Sequence, residues 1–217
     1  MIPVSRRAVA LATILATTIL SAWAHPHVFI DSTLEFEMQS EECVGIWVAW
    51  TFDVVFSADI IGQFDADRDG RFNASENEKV RMQAFSNLRK YGYFTFLRKG
   101  DKRSYPETVD GFQASQSDGR VTYRFHLPLE GKGLDGDFSV ATFDSTFYCA
   151  SRYSQEPARI TWLGQKASRQ PVISIVSNKE YPVYYNPAGG AGDSRVYTKM
   201  EKGLQTAYPE EIRVSFE

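Results

Sequence analysis

Cysteine and histidine are the scarce residues of this chain, with two of the first and three of the second in 217 positions. Two thiols exclude a zinc ribbon or a disulfide-dense scaffold, and three imidazoles leave few ways to build an all-nitrogen metal site. Basic clusters are missing as well. The 24 Lys+Arg against 27 Asp+Glu give a net charge of -3 with no basic block, which excludes a nucleic-acid binder relying on clustered cations to meet phosphates. The sequence has no Gly-x-Ser-x-Gly elbow, no His-Glu-x-x-His helix and no phosphate-cradling glycine loop, so the common hydrolase readings have no support. Aromatics, in contrast, are abundant: 14%, with 11 Tyr and 15 Phe. That is too many for a chain that stays disordered, and it favours β structure.

The first 24 residues read as an address. Arg6 and Arg7 precede the uncharged run Ala8 to Ala24, which ends in the small-x-small pattern Ala22-Trp23-Ala24. A secretory signal peptide over residues 1–24 is expected, with export to the periplasm or beyond and no membrane span after cleavage. In an oxidising compartment, Cys43 and Cys149 are expected to form one disulfide.

Residues 25–217 are expected to form a single α+β domain, a β-rich antiparallel sheet with an inserted helix-loop-helix. From His27 to Met38 apolar and polar residues alternate, with Val28, Ile30, Leu34, Phe36 and Met38 on one face. After a polar break, Val44 to Phe52 is apolar on both faces, as in a central strand. A three-residue turn between them would set Asp53 opposite His27 or Phe29. Helical spacing at 54–64 and 76–91 marks the insertion, about 54–92, with Gly92 placed as its stop. Further strands are expected at Tyr93 to Leu97, Val121 to Leu129, Phe138 to Phe143, Phe147 to Ala150 and Ile160 to Leu163. Past about residue 165 lies a polar tail, with a loop at 186–193 and short strands at Val172 to Val176 and Ile212 to Phe216.

Asp65-Ala66-Asp67-Arg68-Asp69-Gly70-Arg71-Phe72-Asn73-Ala74-Ser75-Glu76 fits the twelve-residue EF-hand calcium loop. Carboxylates Asp65, Asp67 and Asp69 stand at positions 1, 3 and 5, and Gly70 at position 6 permits the sharp turn. Arg71 would offer its backbone carbonyl and Asn73 its side chain, Glu76 would close the site with two oxygens, and Phe72 would point into the core. Hard oxygen donors suit Ca²⁺ and not a soft metal. A single loop in a chain with four Met points to a structural site, since sensors pair their loops around a Met-rich groove.

Cleavage after Ala24 would begin the chain with His25-Pro26-His27. A free amine and two imidazoles form a candidate site for Zn²⁺, Ni²⁺ or Cu²⁺. Asp53 is the candidate third ligand, or a carboxylate that orients one ring. Pro26 has no amide hydrogen and so blocks a square-planar site built on deprotonated backbone. His126, among Thr122 and Arg124, reads as a surface histidine.

Taken together, His25-Pro26-His27-Val28-Phe29-Ile30-Asp31, Trp50-Thr51-Phe52-Asp53, Phe56-Ser57-Ala58, Phe64 to Gly70, and Asn87-Leu88 with Tyr91-Gly92-Tyr93-Phe94-Thr95 resemble a family of exported proteins of undefined biochemical function. That family is described as periplasmic components of uncharacterized ABC-type transport systems, and its members often accompany nickel/cobalt-type permeases. The resemblance covers about residues 25 to 165. Asp144-Ser145-Thr146-Phe147-Tyr148 departs from the family's Asp-Pro-Thr-Tyr. The implied role is an exported, non-enzymatic accessory of divalent metal handling, partnered by a membrane metal permease or another envelope protein. Two alternatives come from other classes. One is a copper oxidase or monooxygenase using an amino-terminal histidine with His126 as distant ligand. The other is a calcium-stabilised envelope interaction module presenting aromatics around Tyr91 to Phe96.

Overall fold

The computed structural model describes residues 25–129, 131, 134–190 and 192–217, so the expected signal peptide lies outside the described residues. In chain order β1 (Val28–Ser40) and β2 (Glu42–Phe52) are followed by α1 (Val54–Phe64), α2 (Ala74–Gln83) and a 3₁₀ segment (Phe85–Phe94). Next come β3 (Thr95–Lys99), β4 (Lys102–Ser104), β5 (Asp110–Ser117), β6 (Arg120–Pro128), β7 (Phe138–Thr142) and β8 (Cys149–Lys166). The chain closes with β9 (Pro171–Ser177), β10 (Val183–Tyr185), β11 (Gln205–Ala207) and β12 (Glu210–Phe216).

Strand order is β5-β6-β2-β1-β8 in one five-stranded sheet and β4-β3-β7-β12-β9 in the other, with β10 and β11 as a separate ribbon. The alternation along β1 explains how the first sheet is oriented. Val28, Ile30, Leu34, Phe36 and Met38 are buried, because residues two apart share a face of a pleated strand. That face meets the second sheet: the Phe36 and Phe138 rings lie 5.5 Å apart, edge to face. Ser32 breaks the alternation. It is buried, and its hydroxyl hydrogen-bonds Thr142 Oγ1 on β7 at 3.3 Å, so the polar group is satisfied inside the core.

Several expectations need correction. The β1–β2 turn is a two-residue loop at Ser40-Glu41, closed by Gln39↔Glu42, with a bulge between Glu37 and Met38. Ser40 takes a positive φ of 55°, as such tight hairpins require. Beyond the bulge the register is Ile30↔Phe52, so Asp53 falls opposite Phe29 and not His27. The sheets are antiparallel except for one pair, β1 with β8, which run parallel. The two strands expected in the tail past residue 165 do join a sheet, as β9 and β12, and β12 is an interior strand between β7 and β9, with Ile212, Val214 and Phe216 buried.

The expected disulfide is absent, and both Cys43 and Cys149 are free thiols. The sheet register gives the reason. Cys43 pairs with Met38 at one end of β1, while Cys149 pairs with Val28 at the other. A separation of ten strand residues is roughly 33 Å, far beyond the ~7 Å between Cα atoms that a disulfide can span.

The second helix is also shorter than its spacing suggests. It ends at Gln83, where Ser86 Oγ and Asn87 Nδ2 donate to the carbonyls of Met82 and Gln83 at 2.8 and 3.0 Å. Short polar side chains compete in this way for the groups that would continue a helix. Gly92, with φ of 59°, lies inside the 3₁₀ segment at a kink where Tyr91, Gly92 and Tyr93 leave helical geometry. Among the described residues no helix is long and apolar enough to cross a membrane.

Candidate functional site

Among the described residues, two places that gather chemistry-bearing side chains concern the predicted sites. The first is the acidic loop between α1 and α2. Both helices are capped at their starts: the Asp53 carboxylate accepts from Val55 and Phe56 N–H at 2.9 and 3.0 Å, and Asn73 with Glu76 forms a capping box. Phe72 is buried in the core, which anchors the loop from below. Asn77 ties it to β5, donating to Phe72 O and Ala114 O and accepting from Ala114 N–H at 3.2, 2.8 and 2.6 Å.

Within this frame Asp65, Asp67 and Glu76 bring one carboxylate oxygen each to within 4.8 Å of one another. Glu76 is buried and accepts from Ala66 and Asn73 N–H at 2.7 and 2.9 Å. Asp65 Oδ2 accepts from Gln116 Nε2 at 2.9 Å and Gly70 N–H at 3.2 Å. Its other oxygen, Oδ1, is buried with no hydrogen-bond partner. Burial pushes the Asp65 carboxyl up, but the Gln116 amide and the loop N–H groups outweigh it and hold it below its ordinary value. A carboxylate oxygen buried without a donor is costly unless a cation meets it, and the all-oxygen donor set fits a hard divalent ion. Asp69 Oδ1 accepts from Arg71 N–H at 2.8 Å, so the loop's turn is held by its own side chains.

The second place is the start of β1. His27 N–H donates to Tyr148 O at 2.8 Å, which sets His25 and His27 beside the 144–148 turn. The two imidazole rings lie 4.9 Å apart, edge to face, and the Tyr148 ring is 4.9 Å from His27. His25 Nδ1 and His27 Nε2 are both buried without a hydrogen-bond partner. Burial first, and then the neighbouring His27, hold the His25 ring below its ordinary value, against the pull of Asp193 and Asp144. That favours a neutral imidazole, the form that ligates metals. Gly189 closes over this group. A Cβ there would lie 2.6 Å from His25 Nε2 and 2.8 Å from Asp193 Oδ2, so only glycine lets the 186–193 loop approach so closely.

Asp53 does not join the histidines. Besides capping α1 it accepts from Phe29 N–H at 2.8 Å through Oδ2, so both oxygens serve the backbone. Burial raises its carboxyl, but the N–H groups of Phe29, Phe56 and Val55 together hold it below the ordinary value. His126 is equally committed, with Nδ1 2.9 Å from Asp110 Oδ1 and Nε2 3.2 Å from Glu37 Oε2. Glu37 lies near the far end of β1 from His27, so His126 does not complete a copper site there. Tyr93 and Phe94 are core and Tyr91 packs against them, while Phe96 is half-buried and stacked on Phe143 at 4.2 Å.

Asp144, Tyr148, Gly189 and Asp193 surround the histidines without having been marked by spacing. Asp144 was discernible only through the resemblance, as the aspartate of a departing motif. It is buried, and its carboxylate accepts from Thr146 N–H, Thr146 Oγ1 and Cys149 N–H at 2.8, 2.8 and 3.1 Å, which fixes the turn carrying Tyr148.

Known proteins bear on this arrangement. The family described as "Protein of unknown function (DUF1007)" matches residues 10–216. An "Uncharacterized 15.5 kDa protein in trpE 3'region" of Spirochaeta aurantia is 41% identical over 128 residues, 55% of this chain and 91% of the relative. An "Uncharacterized protein" of Haemophilus influenzae is 26% identical over 139 residues, 62% of this chain and 66% of the relative. No solved structure matches. With the family's match running from before His25 through β12, the tail strands included, the chain belongs to the DUF1007 family.

Proposed function

We propose that this protein is an exported, non-enzymatic accessory of divalent metal handling, with Ca²⁺ held structurally by an EF-hand-like loop and a transition ion held at the mature amino terminus. The observation that carries the reading is the pair of buried imidazole nitrogens, His25 Nδ1 and His27 Nε2, left without partners on rings 4.9 Å apart. Buried polar atoms of this kind are rare unless a ligand meets them. Zn²⁺, Ni²⁺ or Cu²⁺ would take these nitrogens, with the terminal amine freed by cleavage as a further donor. For Ca²⁺ the ligands are Asp65, Asp67, Asp69, Arg71 through its carbonyl, Asn73 and Glu76, and the unpartnered Asp65 Oδ1 supports that site. The recipient of a delivered ion would be a membrane metal permease or another envelope protein.

The test is calorimetric titration of Zn²⁺, Ni²⁺ and Cu²⁺ into protein whose first residue is His25, free of any preceding tag. One equivalent should bind, and His25→Ala with His27→Ala should abolish that binding while leaving Ca²⁺ binding intact. Equal transition-metal binding by the double variant would overturn the assignment.

A further inference from the structure

Between the first sheet and the helical segments lies a cavity of about 310 Å³, walled chiefly by Trp50, Phe52 and Tyr123 from the sheet and by Phe56, Leu88 and Tyr91 from the helical side. It is roughly twice the ~150 Å³ apolar cavity that admits benzene, and it falls within the range of small-molecule sites. Trp50 and Tyr123 face each other across β2 and β6, so their side chains project from the same face as neighbours. Both residues are buried, at 0% and 2% exposure, yet Trp50 Nε1 and Tyr123 Oη have no hydrogen-bond partner. An indole N–H can only donate, and a phenol can donate or accept. Two unanswered groups on one wall of a mostly apolar space call for an oxygen acceptor. Asp144 also lines the cavity, and its carboxylate disfavours an anionic guest.

We propose that this cavity is a binding site for a neutral, lipophilic small molecule of about ten to fourteen non-hydrogen atoms bearing a carbonyl oxygen, which accepts from Trp50 Nε1 and Tyr123 Oη. The cavity adjoins the histidine pair through Asp144 and Tyr148, but none of the proposed metal ligands lines it. Its neutral guest fills the apolar volume, and its oxygen answers both donors.

Three probes of equal heavy-atom count separate the possibilities: 2-acetylnaphthalene, 2-isopropylnaphthalene and 2-naphthoate. Each is titrated into the protein while the assigned Trp50 indole N–H resonance is followed by NMR. 2-Acetylnaphthalene should bind saturably and move that resonance downfield, with the hydrocarbon and the carboxylate each weaker by about tenfold or more. Tyr123→Phe should remove most of the ketone's advantage over the hydrocarbon and leave the hydrocarbon's affinity unchanged. Leu88→Trp, which fills the space, should weaken both, and a retained cooperative melt shows that each variant is folded. Saturable binding by none of the three, as for a space holding water alone, would overturn the proposal. So would equal affinity for ketone and hydrocarbon, or tighter binding of 2-naphthoate.

Discussion

The acidic loop and the histidine pair offer unpartnered donors in opposite ways. The loop is contiguous, twelve residues from Asp65 to Glu76, and its turn is held by hydrogen bonds among its own members. The histidines are two positions apart in sequence, but their surroundings are assembled from the 144–148 turn and the segment carrying Gly189 and Asp193. A contiguous site depends mainly on its own residues, here with Gln116 of β5 as a supporting contact to Asp65. An assembled one depends on every segment that closes it, which makes it adjustable and easier to break.

Glu76→Gln should give the largest effect and break the loop alone. Glutamine's single acceptor oxygen can keep the capping bond from Asn73 N–H at the loss of the one from Ala66 N–H, and it removes the charge a bidentate closure needs. With Ca²⁺ at a hundred times its Kd, wild-type protein should gain about 2.7 kcal/mol. The variant should lose nearly all of that gain while its calcium-free melting temperature stays within a few degrees of wild type. A full calcium-dependent gain in thermal denaturation of Glu76→Gln would show that Glu76 is not a ligand.

Gly189→Ala attacks the other side of the comparison. The added methyl would stand 2.6 Å from His25 Nε2, so the loop or the ring must shift. Transition-metal affinity should fall about tenfold, or ~1.4 kcal/mol, with Ca²⁺ affinity untouched. Because the residue is over a hundred positions from the histidines, this outcome would establish the assembled character of the site. Unchanged metal affinity would mean that the 186–193 loop merely covers the rings.

These two regions also show what a sequence discloses. The clustering of Asp65, Asp67 and Glu76 was legible because these carboxylates stand at fixed offsets, and α1 was legible at both ends because its apolar spacing over 54–64 is regular. β1 was legible from its alternation. What stayed hidden depended on contacts distant in sequence. The parallel entry of β8 beside β1, the pairing of β12 between β7 and β9, and the closure of Gly189 on His25 leave no periodic trace. Asp53 sits away from the histidines because the hairpin register sets it opposite Phe29 and its carboxylate caps α1, a role that spacing alone does not distinguish from a ligand position.

Asp31 provides a smaller perturbation on the outer face of β1, between the two candidate sites' sheet and solvent. Its carboxylate is held by Arg152 Nε at 2.6 Å and Arg120 Nη2 at 2.7 Å. Arg152 chiefly, and then Arg120, hold the carboxyl below its ordinary value against the opposing effect of burial. A depressed carboxyl contributes stability above the unfolded-state pKa near ~3.9 and loses it as pH falls through the folded value. The pair is partly exposed, so Asp31→Asn should cost about 1 kcal/mol at pH 7. The difference from wild type should shrink toward zero as pH drops below ~4. Urea midpoints at each pH measure this, and a cost independent of pH would assign it to packing.

The smallest effect expected is none at all, and it concerns the cysteines that lie near opposite ends of β1. A disulfide closing so long a loop would contribute about 4–5 kcal/mol by the entropy estimate, so its reduction would be conspicuous. Cys43 sits in the core with its Sγ 3.4 Å from Gly45 O, and burial pushes its thiol up to about 12. Burial raises the Cys149 thiol as well, aided by Asp144. Since the thiolate is the reactive form, native protein should react slowly with a thiol reagent and show no change in melting temperature on adding dithiothreitol. After unfolding in guanidinium without reductant, two thiols per chain should titrate. Finding none would mean that the two sulfurs meet in the folded protein, which the β1 register, with Val28 at Cys149 and Met38 at Cys43, forbids.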